Sequence, residues 1–218
     1  MVRLELVGSG RDADVFSLGK DRVLRRYRDG GDATREAEIM AFVAAHGYPV
    51  PAVFDVDGAD LVMERIDGPT MLEAFNEGAI DIAEGARTLA QLQDCLHKLP
   101  GRPGAPAGDR VIHLDFHPEN VMIGSRGPMV IDWRNAADGP ADLDVALSAV
   151  ILAQVAVDDS DGRAALARTM LARFLEHTEG DPLRLLDEAV ARRRANRTMT
   201  PAELDLLVPA EAIIRELA

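Results

Sequence analysis

Cysteine is all but missing from this chain, with Cys95 the single thiol among 218 residues. One sulfur builds neither a disulfide framework nor a cysteine-rich metal site. Cys95 lies inside an apolar-periodic segment and is expected to pack in the core. Long hydrophobic runs are missing too. No stretch reaches the about 18 apolar residues of a membrane span, and Met1-Val2-Arg3-Leu4-Glu5 lacks the apolar stretch and small-residue cleavage site of a secretory signal. A cytoplasmic protein with no membrane partner is expected. Positive charge is the third shortage. The 24 lysines and arginines face 37 aspartates and glutamates, a formal charge of -13. That argues against a nucleic-acid partner, whose binding needs a basic face to displace counterions. The one basic run, Arg192-Arg193-Arg194 with Arg197, is too short to reverse the balance. An acidic surface suits a cationic substrate, because a cleft lined by one sign of charge concentrates the other. Solubility alone explains the acidity equally well.

What is present is enough apolar material, 47% of the residues, for one core or two small lobes. Strand-like runs occur at Leu4–Val7, Val15–Leu18, Val23–Tyr27, Val53–Val56 and Leu61–Ile66, separated by Gly and Asp turns. One helix interrupts them near Thr34, with Ile39, Met40, Phe42 and Val43 as its apolar face and Gly47 and Pro49 as its stop. A sheet with one helix is the plan of an α+β lobe. After Gly68-Pro69 the pattern changes. A helix from about Asp81 carries Ile82, Leu89, Leu92, Leu96 and Leu99 on one stripe. A Gly/Pro-rich loop from Pro100 to Gly108 follows, and then short strands at Val111–Leu114, Val121–Ile123 and Met129–Ile131. From Ala141 the pattern is helical to the end, with breaks near Asp158–Gly162, Gly180–Pro182 and Thr200-Pro201. The segment from Leu143 to Val157 is apolar nearly all round, as a buried helix is.

The sharpest local signal is His113-Leu114-Asp115-Phe116-His117-Pro118-Glu119-Asn120, followed after a short strand by Ile131-Asp132-Trp133. His-x-Asp-x4-Asn and then a strand-terminal Asp is the spacing of a kinase catalytic loop and its metal-binding Asp. Phosphoryl transfer needs such a set because the protein's task is to position and to neutralise charge. Asp115 is the candidate for the carboxylate that takes the acceptor's proton. Asn120 and Asp132 are the candidates to hold Mg2+, a hard ion that prefers oxygen. Asp, Pro and Asn also form turns, and a His followed by Asp can be a satisfied pair. The pattern's place between two strand-rich segments favours chemistry. His113 and His117 are expected to shape the loop through hydrogen bonds, while His46, His97 and His177 stand outside any constellation.

These residues together resemble the signature of the aminoglycoside phosphotransferase and choline kinase-like family. Leu61-Val62-Met63-Glu64-Arg65-Ile66-Asp67-Gly68 is similar to the family's hinge strand, Leu96-His97 to its helix end, and Asp142-Leu143-Asp144-Val145-Ala146 to the start of the helix after the metal-binding Asp. Only the last forty or so residues lack a counterpart. The resemblance implies an α+β, bilobal protein-kinase-like fold. Residues 1–67 would form a nucleotide-binding lobe, an antiparallel sheet plus one helix, with a hinge at 63–68. Residues 68–218 would form a mainly helical lobe for catalysis and substrate binding.

Residue by residue, the resemblance gives adenine main-chain partners at Glu64 and Ile66, with Met63 behind the ring, and has Asp144 brace the catalytic loop. Gly8-Ser9-Gly10-Arg11 falls where the family has its phosphate-covering loop, so Ser9 and Gly10 become ATP-binding candidates. By itself, Gly8-x-Gly10 is equally a hairpin turn. One departure stands out. Where the family commonly has a lysine on its third strand, this chain has Arg25-Arg26. Arg25 is the candidate for the phosphate-neutralising cation, with Glu36 as its ion-pair partner and Arg26 facing out. The alternative is two solvated arginines on an edge strand.

The implied activity is ATP- and Mg2+-dependent phosphoryl transfer to a hydroxyl of a small molecule, with a cationic aminoglycoside-like or other antibiotic-like compound as the expected acceptor. Asp158, Asp159, Asp161 and Glu188 are acidic residues that such an amine would contact, or else a solvated face. Two other readings stay open. A small atypical protein kinase shares the catalytic pattern but should carry an Ala-Pro-Glu activation segment, which is missing here. A nucleotide-binding pseudokinase or regulatory module would account for the missing lysine.

Overall fold

The computed structural model describes residues 4–218; Met1, Val2 and Arg3, on which the reading of the N-terminus partly rests, lie outside the described residues. The chain divides into two compact units. One holds the residues up to Pro69 together with Met122–Asn135, and the other holds Thr70–Val121 and Ala136–Ala218. No helix among the described residues is long and apolar enough to cross a membrane.

The first unit is built on β1 (Glu5–Ser9), β2 (Ala13–Ser17), β3 (Arg22–Tyr27), β4 (Val53–Asp57) and β5 (Asp60–Glu64), with α1 (Thr34–Ala45) between β3 and β4. The strands pair antiparallel in the order β1-β2-β3-β5-β4. β3 lies in the middle, and its period of two puts Val23, Arg25 and Tyr27 on one face, all buried, while Arg26 on the other face is exposed. An arginine on the buried face of a central strand needs a partner there, and α1 supplies it. Glu36, Ile39, Met40 and Val43 form the buried stripe of that helix. Gly47 ends α1 at φ +79°. The Tyr48 amide donates to Val43 O at 3.1 Å and the Gly47 amide to Ala44 O at 3.0 Å, which is the Schellman arrangement that glycine favours.

After β6 (Arg110–Ile112), which belongs to the second unit, β7 (Val121–Gly124) and β8 (Gly127–Val130) form a hairpin. Several bonds tie this segment into the first unit. The Ile123 amide donates to Pro69 O at 2.8 Å and the Val130 amide to Pro49 O at 2.9 Å. Trp133, fully buried, donates from Nε1 to Val130 O at 3.0 Å and meets Tyr48 edge-on at 5.7 Å. The approach at Gly68 is closest of all. A Cβ there would lie 2.1 Å from the Ile123 carbonyl oxygen, and its φ is +141°.

In the second unit, α2 (Met71–Asn76) and α3 (Ile82–His97) precede β6, which pairs with β9 (Ala137–Gly139). Then come α4 (Ala141–Ala156), α5 (Ala164–His177), α6 (Leu186–Arg194), α7 (Pro201–Asp205) and α8 (Leu207–Leu217). Thr70 and Glu73 form a capping box on α2, and Thr200 and Glu203 repeat it on α7. α4 is buried on every side, with α5, α6 and α8 packed around it, as its unbroken apolar run requires. Cys95 departs from expectation. It is exposed, because the buried stripe of α3 runs through Leu89, Leu92 and Leu96 while Glu84, Arg87, Gln91 and Cys95 share the solvent side.

Gly68→Ala should therefore cost about 2–3 kcal/mol, since the new methyl meets a backbone oxygen that cannot move aside. Gly58→Ala, at φ +54° with open space around it, should cost only about 1 kcal/mol. Urea midpoints of the two variants check the difference.

Candidate active site

Two buried carboxylates organise the residues singled out in the sequence, one in each unit. In the second unit it is Asp144, in the first turn of α4 and 0% exposed. Its Oδ2 accepts from the His113 amide at 3.0 Å and from His97 Nε2 at 2.9 Å, and its Oδ1 from the Leu114 amide at 2.6 Å. Burial works to raise the pKa of this carboxyl. The His97 hydrogen bond, the charges of His97 and His113 and the His113 amide outweigh it and hold the group below its ordinary value. His97, outside every constellation in the sequence, is thus joined to the loop. Leu114 adopts φ +64°, a left-handed conformation unusual for a leucine, and its amide is one of the two that Asp144 receives. That turn sets the direction of Asp115.

Asp115 is partly buried. Asn120, at the end of the 3-10 turn Pro118–Asn120, donates from Nδ2 to the Asp115 carbonyl at 2.8 Å and to its Oδ2 at 3.3 Å. His117 Nε2 stands 3.6 Å from Asp115 Oδ1. Burial again pushes the carboxyl up, but His117, His113 and Arg193 bring it down to about 2. His113 is fully buried and meets Phe116 edge-on at 5.3 Å.

In the first unit the buried carboxylate is Glu36. Arg25, 5% exposed, pairs through Nη1 with Glu36 Oε1 and through Nη2 with Asp132 Oδ1. Glu36 also accepts from the Tyr27 hydroxyl and, at 3.1 Å, from the Trp133 amide. Burial raises Glu36 above the usual carboxylate range, with Arg25 and Tyr27 working against it. It opposes the charge on Arg25 as well, yet Asp132 and Glu36 more than compensate. The arginine is therefore no solvated edge residue; Arg26 is the outward one, paired with Asp60. Asp132 takes φ +61°, and its side chain is 39% exposed.

The remaining candidates are spread more widely. Ser9 is exposed and donates to Asp14 Oδ1 at 2.9 Å, a carboxylate it shares with Arg28. The Gly10 amide donates to Ala13 O at 2.9 Å, closing the β1–β2 turn. Met63 is buried in β5 opposite Val23. Glu64 and Ile66 border a cavity of about 490 Å³ whose wall also includes Asp21, Phe54 and Arg126. Asp158 and Asp161 serve their own turn, Asp158 capping Ser160 and Asp161 holding Arg163. Sequence reasoning missed Tyr27 and Trp133, both hydrogen-bonded to Glu36. Tyr27 carried a usable signal, since it alternates with Arg25 on one face of β3.

Asp144→Ala strands two loop amides and a histidine and should cost about 3–5 kcal/mol. Because the folded-state pKa of Asp144 lies below the ordinary 3.8, its contribution is complete above that value and is lost as pH falls below it. Urea midpoints measured from pH 7 down to pH 3 should drop more steeply for the parent than for Asp144→Ala.

The phosphotransferase enzyme family model matches residues 3–110 and 105–186. No curated protein sequence matches the chain. Among solved structures, ADP-bound aminoglycoside phosphotransferase APH(2'')-Ib aligns at 14% identity over 97% of this chain and 94% of its own, with a TM-score of 0.59. The streptomycin-ATP-APH(2")-IIa ternary complex aligns at 14% identity, 97% and 93% coverage and a TM-score of 0.60. Amicoumacin kinase hAmiN in complex with AMP-PNP, Ca2+ and Ami aligns at 10% identity, 98% and 88% coverage and a TM-score of 0.57. These likenesses give the protein-kinase-like α+β fold expected from the sequence, and the family match runs through both the strand-rich and the helical parts, so the chain belongs to the phosphotransferase enzyme family.

Proposed function

We propose that this protein is an ATP- and Mg2+-dependent phosphotransferase that moves the γ-phosphoryl group to a hydroxyl of a small molecule. The observation that carries the reading is the Asp115 loop. A carboxylate kept ionised by its surroundings, hydrogen-bonded to Asn120 and aimed by a left-handed residue braced on Asp144, is the arrangement a phosphoryl acceptor's hydroxyl needs. The acceptor oxygen bonds to the γ-phosphorus, the bond from that phosphorus to the β,γ-bridging oxygen breaks, and ADP leaves. The hydroxyl proton passes to Asp115. With its pKa brought down to about 2, Asp115 is ionised at neutral pH. It orients the hydroxyl first and takes the proton only as the transferring bond forms.

In this reading Arg25 neutralises the α- and β-phosphates, and Glu36 and Tyr27 hold it in place. Glu64 and Ile66 offer main chain to adenine, with Met63 behind the ring, while Ser9 and Gly10 belong to the phosphate-covering turn. The residues present suit Mg2+. With the Asn120 nitrogen committed to Asp115, its amide oxygen would serve as a ligand, and Asp132 would add a carboxylate. Such an ion would be completed by phosphate oxygens and water. When bound, Mg2+ offsets the phosphate charge that develops during transfer.

The regulatory-module reading rested on the missing lysine. A buried arginine paired with Glu36 keeps the cation in position and favours the enzyme. The protein-kinase reading loses ground because only residues 133–140 separate Asp132 from α4, too few for a peptide-docking segment.

Asp115→Ala should lower transfer by about 10²–10⁴-fold while ATP still raises the melting temperature. Transfer at the parental rate would remove Asp115 from its role. Asp132→Ala should abolish the Mg2+-dependent part of the ATP shift, and Arg25→Ala should raise the KM for ATP about tenfold or more. A coupled ADP assay and thermal melts check all three.

A further inference from the structure

Arg134 follows Asp132 by two residues, in the 3-10 turn Trp133–Asn135. Its backbone is anchored there by Trp133, which is fully buried and whose amide donates to Glu36 Oε1 at 3.1 Å. The side chain reaches the sheet of the first unit, where the guanidinium lies over the Tyr27 ring, 4.1 Å from its centre. Nη2 pairs with Asp29, and Nη1 donates to the Asp12 carbonyl at 3.3 Å. Tyr27 in turn gives its hydroxyl to Glu36. The segment that carries Asp132 is thus fastened at one end to the buried acid and at the other to the turn between β1 and β2.

That turn has little else to hold it. β1 is an edge strand, paired only with β2 and largely exposed. The Asp12 carbonyl receives two donors, the Arg28 amide at 3.0 Å, which extends the β2–β3 ladder, and Arg134 from outside the sheet. Arg28 adds side-chain bonds to Arg11 O at 3.3 Å and to Ser9 Oγ; Arg134 differs in coming from the Asp132 segment. As an ion pair with Asp29, whose side chain is 59% exposed, it would contribute little to stability. Its planar fork does more than pair, because it joins a carboxylate, an aromatic face and a main-chain oxygen at once. A turn that closes on phosphates loses conformational freedom when it binds, and less is lost if it is fixed beforehand.

We propose that Arg134 is a positioning residue for the nucleotide's phosphates, holding the β1–β2 turn in place from the segment that carries Asp132. It acts through the Asp12 carbonyl and touches no reacting atom. The proposal rests on the phosphotransferase reading, in which Ser9 and Gly10 of that turn belong to the phosphates.

The test compares the binding of ATP with Mg2+ and of adenosine, which lacks the phosphates, by titration calorimetry on the full chain. Arg134→Ala should weaken ATP by about 3- to 10-fold and leave the Kd for adenosine unchanged. Hydrogen exchange of residues 8–14 in the nucleotide-free protein should quicken in that variant while α1 keeps its parental rate. Arg134→Lys keeps the charge but not the fork, so it should recover only part of the ATP affinity. An unchanged ATP affinity, equal losses for ATP and adenosine, or full recovery in Arg134→Lys overturns the proposal and leaves the phosphotransferase standing. If the alanine variant does not fold, Asp29→Ala removes the other anchor of the guanidinium; it should lower the ATP-to-adenosine affinity ratio by a smaller factor, and a parental ratio there overturns the proposal equally. Should the parent bind ATP no better than adenosine, or bind neither, the phosphotransferase reading itself fails and this inference falls with it.

Discussion

Removing a carboxylate wholly from water costs several kcal/mol unless the charge meets donors of matching number and direction. Asp144 is 0% exposed, and it meets that condition with the amides of His113 and Leu114 and the imidazole of His97. The requirement runs in both directions. The loop can satisfy Asp144 only if two successive amides point the same way, and Leu114 at φ +64° then turns the chain directly after the second of them. That conformation costs on the order of 1–2 kcal/mol for a residue with a Cβ, and the charge-assisted hydrogen bonds offset it. The turn that leads into Asp115 thus lies directly on the amides that the buried Asp144 holds.

The first unit repeats this logic with other residues. Glu36 is 4% exposed and gathers Arg25, the Tyr27 hydroxyl and the Trp133 amide. Trp133 directly follows Asp132, the second non-glycine residue with positive φ among the described residues. A buried acid therefore sits behind each of the two left-handed residues, and each of these lies at or beside a residue assigned to chemistry. Arginine in place of the family's usual lysine suits this network. Its fork reaches Glu36 with one nitrogen and Asp132 with the other, whereas an ammonium offers a single point from which to serve both.

Much of this was legible in the sequence because it is local. The strands of the first unit, the start of α1 at Thr34, the N-cap at Asp81 and the breaks between the last helices follow from alternation, capping chemistry and Gly/Pro punctuation, and they lie within a few residues of their expected places. The Asp115, Asn120 and Asp132 pattern could be read from spacing alone. What escaped was either short or distant. α2 has six residues and β9 three, too few for periodicity to register. His97 meets Asp144 across 47 positions and Gln154 meets Arg193 across 39, separations at which a sequence pattern carries no pairing information. Cys95 was misplaced because an apolar residue next to an apolar stripe is not on that stripe unless its helical phase agrees.

Net charge is blind to position for the same reason. A total of -13 describes the field far from the molecule, and at physiological salt that field decays over about 8 Å. The Asp115 carboxylate responds to nearer groups, His117 Nε2 at 3.6 Å and Asn120 Nδ2 at 3.3 Å. An acidic chain can in this way hold one carboxylate among hydrogen-bond donors while the bulk of its other carboxylates serve solubility.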